Sequence, residues 1–415
     1  MSEEEKAAGL AQEALRRALA CIAEREARVN AWQWLDENEA WRAAREIDRS
    51  GPGGPLHGML IGVKDIIDTH DMPTGLGFDP YADRRPAWDA GCVAACRDAG
   101  ALVLGKTVST EFAYFAAGKT RNPHDFAATP GGSSSGSAAA VAAGMVDAAF
   151  GSQTAGSLIR PAAYCGVVGY KGSHDAFGLS GIRPLAQSFD SLGIVAGSVE
   201  PVTRIRQVLN GEAVEPLTVP MRAPYLGLCR TRQWEFVEPA ARQAVEEAAR
   251  TLAAGGATVE AVQLPESFEQ AFDCHGLVMA YEVARNYAFE YRHYTDRLSA
   301  AFKGLCEKGQ GVSHASYRMA KETLRCLKAE LGAHLAGFDA WIAPAALGEA
   351  PPAVEGTGSP LMCILWTALG APCLGLPVGK GPRGLPLGIQ LVAAPGEDAG
   401  LLAVGAWVEA RLQRT

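Results

Sequence analysis

Ser157 is the residue whose surroundings speak most directly of chemistry. A strand-like run, AAFGSQT (148–154), passes through Ala155-Gly156 into this serine. Small residues before a serine suit a tight turn that exposes the hydroxyl and aims successive backbone N–H groups at one point. A nucleophile beside an oxyanion hole needs those parts. A plain turn uses the same residue types, so TAGS alone decides nothing.

Lys64 ends the apolar run LIGVK. Most such lysines carry the ammonium to solvent or pair it with a carboxylate. A lysine held dry beside hydroxyls instead has a depressed pKa and can act as a base. Asp65 is the adjacent carboxylate, but successive strand side chains point to opposite faces. The third stretch, PGGSSSGSAAAVAAG (130–144), has the composition of a flexible linker. It runs directly into a helix-forming apolar segment, so a buried loop leading to a helix N-terminus is the better reading. The GxxxxGK[ST] pattern of phosphate loops is absent. Adjacent glycines tolerate an unusual backbone at Ser133, including a cis peptide.

These stretches need strands and turns to hold them. MLIGVKDII (59–67) reads as a strand entering a turn, DAGCVAACRDAGA as a helix, and ALVLGKT (101–107) as a buried strand. Residues 1–50 read as helical, opening on a Ser2 cap with Glu5 three residues on and ending near SGPGGP. Gly, Ser and Ala dominate 129–200 while charges are scarce, as in a tightly packed interior. Residues 201–335 are richer in charge, with short strands (YLGLCR, TVEAVQL) between helices. FDAWIAPA, PCLGLPVG and LGIQLVAA restore buried strands before a helix from about 398. The alternation predicts an α/β fold with helices on both faces of one sheet. A single domain over 1–415 is expected: an N-terminal helical segment (1–50), a core (59–200), a helical elaboration (201–335), and returning strands with a C-terminal helix (336–415).

The formal net charge of −8 speaks against a nucleic-acid binder that tracks phosphates. No apolar stretch is long enough to span a bilayer, and the N-terminus lacks a signal-peptide core, so a cytoplasmic protein is expected. The ten cysteines form no CxxC pair. Cys92 and Cys96 sit one helical turn apart without two further ligands beside them, which suits reduced core cysteines. No metal and no cofactor is expected.

Together the motifs resemble the amidase signature family. PGGSSSGSAAAVAAG followed by GSQTAGSLIRPAAYCGVVGYK carries the resemblance, with GVKD, LGKTVSTEFA (104–113), RNPHD (121–125), LSGIRPLAQSFDSLG (179–193), ALGAPCLGLPVG and GLPLGIQLVA in the same order. The resemblance implies a mixed β-sheet flanked by helices. It places the nucleophile on Ser157, a bridging cis-serine on Ser133 and the base on Lys64. It assigns the oxyanion donors to the backbone N–H groups of Thr154, Ala155, Gly156 and Ser157. His124 and His174 lie near these motifs and read as structural hydrogen-bonding residues.

Three departures bear on the substrate. The family commonly carries an acidic residue four before the nucleophile and Gly-Gly just before it, where this chain has Gln153 and Ala155-Gly156. Arginine falls at Arg160, a pattern that most resembles the compact malonamidase-like branch. In malonamidase the matching arginine holds a substrate carboxylate, so Arg160 is either such an anchor, by a bidentate pair, or a brace for backbone carbonyls. Ser134 and Gln153 join it as candidate substrate-binding residues, while Met279 stands where malonamidase has a polar glutamine. The resulting expectation is a small-molecule amide hydrolase working through an acyl-enzyme, with no nucleic-acid or membrane partner and a homodimer as a possible assembly. The alternatives are acyl transfer to an amine or ammonia, including the glutaminase component of a tRNA-dependent amidotransferase, and a non-catalytic binding protein on the same fold.

Overall fold

The computed structural model describes residues 9–50 and 53–412. Ser2 and Glu5, read as a helix cap, lie outside the described residues. Eleven strands form one mixed sheet: β1 (Trp32–Leu35), β2 (Leu60–Lys64), β3 (Leu102–Thr107), β4 (Ala148–Gln153), β5 (Val168–Lys171), β6 (Ser191–Ala196), β7 (Tyr225–Cys229), β8 (Thr258–Val262), β9 (Ala340–Pro344), β10 (Cys373–Lys380) and β11 (Pro386–Val392). Their order is β1-β3-β2-β4-β6-β5-β10-β11-β9-β7-β8. β2 runs parallel to both β3 and β4, β7 runs parallel to β8 and β9, and the pairs between β4 and β9 are antiparallel.

Residues of β2 through β6 are buried throughout, because both sheet faces are covered. Along β2 and β4, Ile61, Val63, Ala148 and Phe150 enter one apolar layer, while Leu60 and Ala149 enter the other. The Ser135–Ala142 and Ile159–Cys165 helices lie in the second layer, and the Asp398–Leu412 helix in the first. Strands from the 59–200 stretch and the returning strands meet where β5 pairs with β10. The Gln270–Asn286 helix packs against both Ala300–Gln310 and His314–Leu335.

The expectation of helix throughout 1–50 needs correction, because β1 interrupts it. Asn30, in the left-handed region, closes the Leu10–Val29 helix, and its N–H bonds Glu26 O at 2.8 Å. The Glu26 carboxylate then accepts from the N–H groups of Ala31 and Trp32. Trp32 and Leu35 pair with Thr107 and Gly105 of β3, and tertiary pairing of an aromatic-rich segment overrides helix propensity. Asp36 caps the next helix, Glu37–Arg49, by accepting from the N–H groups of Asn38 and Glu39.

Candidate active site

β2, third strand from the β1 edge of the sheet, delivers Lys64 from between β3 and β4. Its ammonium is fully buried and donates to Ser133 Oγ at 2.6 Å and Ser152 Oγ at 2.9 Å. Burial lowers its pKa from 10.5 to about 7, against an opposing pull from the negative charge of Asp190. Asp65 is not its partner: that carboxylate faces the N–H groups of Gly75 and Gly77. A second buried lysine, Lys106, is taken up by Ile67 O and Thr74 Oγ1.

Ser133 follows a cis peptide bond from Gly132 and precedes the Ser135–Ala142 helix. That helix sits hard against the chain behind it. A Cβ at Gly136 would come within 2.3 Å of Ala31 O and Val108 N, so only glycine allows this approach. Ser133 and Ser157 line one cavity with Thr154, Ala155 and Gly156. Its apolar walls include Tyr114, Phe115, Leu185 and Met279.

The turn carrying Ser157 is braced from below. Gln153 Oε1 accepts from the N–H groups of Leu158 and Ile159, each at 3.0 Å. Among the described residues, no protein acceptor lies on the N–H groups of Thr154, Ala155, Gly156 or Ser157. All four residues line the cavity. Gly156 is required by the approach of Pro360, whose Cβ a side chain there would meet at 2.9 Å.

The three candidate substrate-binding residues fare differently. Gln153 is fully buried and holds the turn. Ser134 is buried under β4, where its Oγ donates to Ser152 O and accepts from Ser152 N. Neither lines the cavity, because both are consumed in shaping its floor. Arg160 does line it, yet Nη1 donates to Gly358 O at 2.8 Å and Nη2 to Gly132 O at 2.5 Å. Of the two roles open from the sequence, the contacts are those of the brace.

Four polar residues at the site carried no role in the sequence reading. Asp190, within the quoted run 179–193, accepts from Thr154 Oγ1 at 2.5 Å and from the N–H groups of Leu185 and Ala186. His275 Nε2 lies 2.8 Å from Thr154 O, and burial lowers its pKa to about 4, so the ring is neutral. Thr367 Oγ1 lies 2.8 Å from Ala155 O. Ser152 shares the Lys64 ammonium. Asp190 was legible as part of a motif; His275 and Thr367 reach the turn only through tertiary packing. His124 and His174 each hold a backbone carbonyl, of Cys165 and Gln187.

Cys92 and Cys96 pack in the apolar core. Among the described residues, His70, Asp71 and Asp89 form the one convergent set of possible metal ligands. Arg97 already pairs with both of those carboxylates. No described helix is long and apolar enough to cross a membrane.

The chain resembles the A component of the glutamyl-tRNA(Gln) amidotransferase of Exiguobacterium sp., with 31% identity over 416 aligned positions, covering 88% of this chain and 86% of the relative. Among solved structures, an amidase superposes with a TM-score of 0.88 at 31% identity, covering 98% of this chain and 99% of that one. The peptide amidase of Stenotrophomonas maltophilia gives 0.83 at 29%, covering 98% and 94%. Relatives such as the Exiguobacterium protein are amidotransferase components and do not single out the malonamidase-like branch. The amidase family pattern spans residues 13–402, and with it the mixed sheet and the Lys64–Ser133 contact: this chain belongs to the amidase signature family.

Proposed function

We propose that the protein cleaves the C–N bond of a carboxamide through an acyl-enzyme on Ser157, with Ser133 and Lys64 as the proton relay. The observation that carries this reading is the 2.6 Å contact between a fully buried lysine and Ser133, which shares a cavity with Ser157. With a pKa of about 7, Lys64 is substantially neutral at physiological pH and competent as a base. It takes the Ser133 proton as Ser133 takes the Ser157 proton and Ser157 attacks the carbonyl. The oxyanion rests on the N–H groups of Thr154 to Ser157, each donor contributing on the order of 3 kcal/mol. Reversal of the relay protonates the leaving nitrogen, and ammonia or an amine departs. No metal or cofactor enters these steps.

Free hydrolysis of the acyl-enzyme by water is one fate. The relatives' names favour the other, in which this chain is the amidase component of an assembly: the ammonia freed on acylation passes to an acceptor while water still clears the acyl group from Ser157, or an amine takes the place of water and carries the acyl group away. Both begin with the same acylation. Tyr114, Phe115, Leu185 and Met279 favour a substrate whose acyl part is compact and presents apolar surface.

The test is ammonia release from a panel of small amides, glutamine included, with Ser157→Ala as the blank, alongside fluorophosphonate labelling. Labelling and turnover lost together in Ser157→Ala support the acyl-enzyme. Failure to label the wild type would return the chain to a binding protein on the amidase fold. A stable hetero-complex on purification from the native host supports transfer over free hydrolysis.

A further inference from the structure

A second cavity, of about 600 Å³, shares no lining residue with the first. Along the His314–Leu335 helix, Arg318, Lys321, Arg325 and Lys328 recur at three- or four-residue steps and so share one face. All four line this cavity. Glu322 is the one carboxylate in its lining, and it pairs with Arg325 at 2.6 Å. Lys321 donates to Ser188 Oγ at 2.6 Å. Arg318 and Lys328 have no hydrogen-bond or ion-pair partner among the described residues. The buried Lys171 is also close: its pKa is lowered by burial and, to a lesser degree, by Lys328. Like charges stacked on one helix face repel one another. Behind the lining, Glu282 accepts from Ser188 Oγ and from Tyr317 OH, and Asp175 stands beside His174, so four cations face three carboxylates and the concave surface keeps a positive excess, complementary to an anion, on a chain of net charge −8.

We propose that this cavity is a binding site for a small polyanion bearing clustered phosphate charge, linked to the turn that carries Ser157. Its volume falls in the range of small-molecule pockets, roughly 300–1,000 Å³. The link is physical. Ser188 lines the cavity, and Phe189, next in the chain, packs its ring 4.4 Å from that of His275, whose Nε2 holds Thr154 O. Asp190, one residue further, holds Thr154 Oγ1. On the other wall Ala368 follows Thr367, which lies against Ala155 O. An anion that draws the His314–Leu335 helix towards Ser188 and Gly370 therefore tightens both supports of the turn.

The probe is inorganic tripolyphosphate, titrated calorimetrically into the full chain, with hydrogen exchange followed on peptides spanning 153–159. Neither readout depends on amide cleavage. Expected are saturable binding that weakens with added salt and slower exchange across 153–159. The double variant Arg318→Gln/Lys328→Gln should bind at least about tenfold more weakly and lose the exchange effect. Arg318→Gln alone, at an exposed position, should lose part of the affinity. Undiminished binding by the double variant overturns the proposal, as does no binding up to about 1 mM. Binding with unchanged exchange across 153–159 overturns the link. Capture of a transfer RNA by a chain that ignores tripolyphosphate would overturn it in favour of a nucleic-acid surface.

Discussion

The Gln153 amide nitrogen donates to Thr367 Oγ1 at 3.0 Å, joining the end of β4 to the Leu361–Ala368 helix beneath the turn that bears Ser157. Both side chains are buried, and Gln153 uses its oxygen on two further N–H groups. Leucine at 153 would keep the volume and abandon all three bonds. Unpaired buried groups cost about 1–3 kcal/mol each, so Gln153→Leu should lose on the order of 3 kcal/mol or more of stability. Urea unfolding measures that loss. The rate of Ser157 labelling should fall further than stability alone explains, because the turn loses its brace. A variant as stable and reactive as the wild type would show the brace to be dispensable.

Lys64 makes the wild-type fold pay for a base. Its pKa is about 7 in the native state against 10.5 for the free side chain, so between those values the unfolded chain binds the extra proton. Stability therefore rises with pH across that window, and the penalty is fully present below pH 7. Lys64→Met should abolish turnover and flatten this dependence. Below pH 7 it should also gain up to a few kcal/mol, reduced by the loss of bonds to Ser133 and Ser152. Unfolding curves at several pH values for both proteins decide the matter. Identical slopes would mean that Lys64 does not change its proton affinity on folding.

What the sequence disclosed depended on whether the signal was local. The buried strands β2, β3, β4, β9, β10 and β11 announced themselves as apolar runs, and the Ser133 loop and Ser157 turn as small-residue motifs. β1 did not, because four residues between two helices become a strand only by pairing with β3. Nor did His275, which is 121 residues from Thr154 and meets it through packing of the Gln270–Asn286 helix. Ser134 and Gln153 were legible as neighbours of the chemistry, but sequence proximity could not tell a floor from a wall.

Asp190 holds the Thr154 hydroxyl and raises the proton affinity of Lys64. Asp190→Asn removes the charge while leaving an oxygen to accept a hydrogen bond. The Lys64 pKa should then fall below its wild-type value, and the acidic limb of the pH–rate profile should move to lower pH. The maximal rate should drop as well, because Thr154 sits in the turn. The pH profile separates the two effects: a slower enzyme with an unmoved limb would assign Asp190 to packing alone.

Arg160 offers the sharpest choice between bracing and binding. Its two terminal nitrogens hold Gly132 O, just before Ser133, and Gly358 O, so it ties the cis-serine loop to the far wall of the cavity. A single lysine ammonium lacks the fork needed to span both carbonyls. Arg160→Lys should cost about 1–3 kcal/mol of stability and lower kcat for every amide alike. The ratio of kcat/KM between acid-bearing amides, such as malonamate and succinamate, and their neutral analogues should stay unchanged. Were the guanidinium instead a carboxylate anchor, that ratio would collapse by about tenfold or more while neutral amides turned over normally.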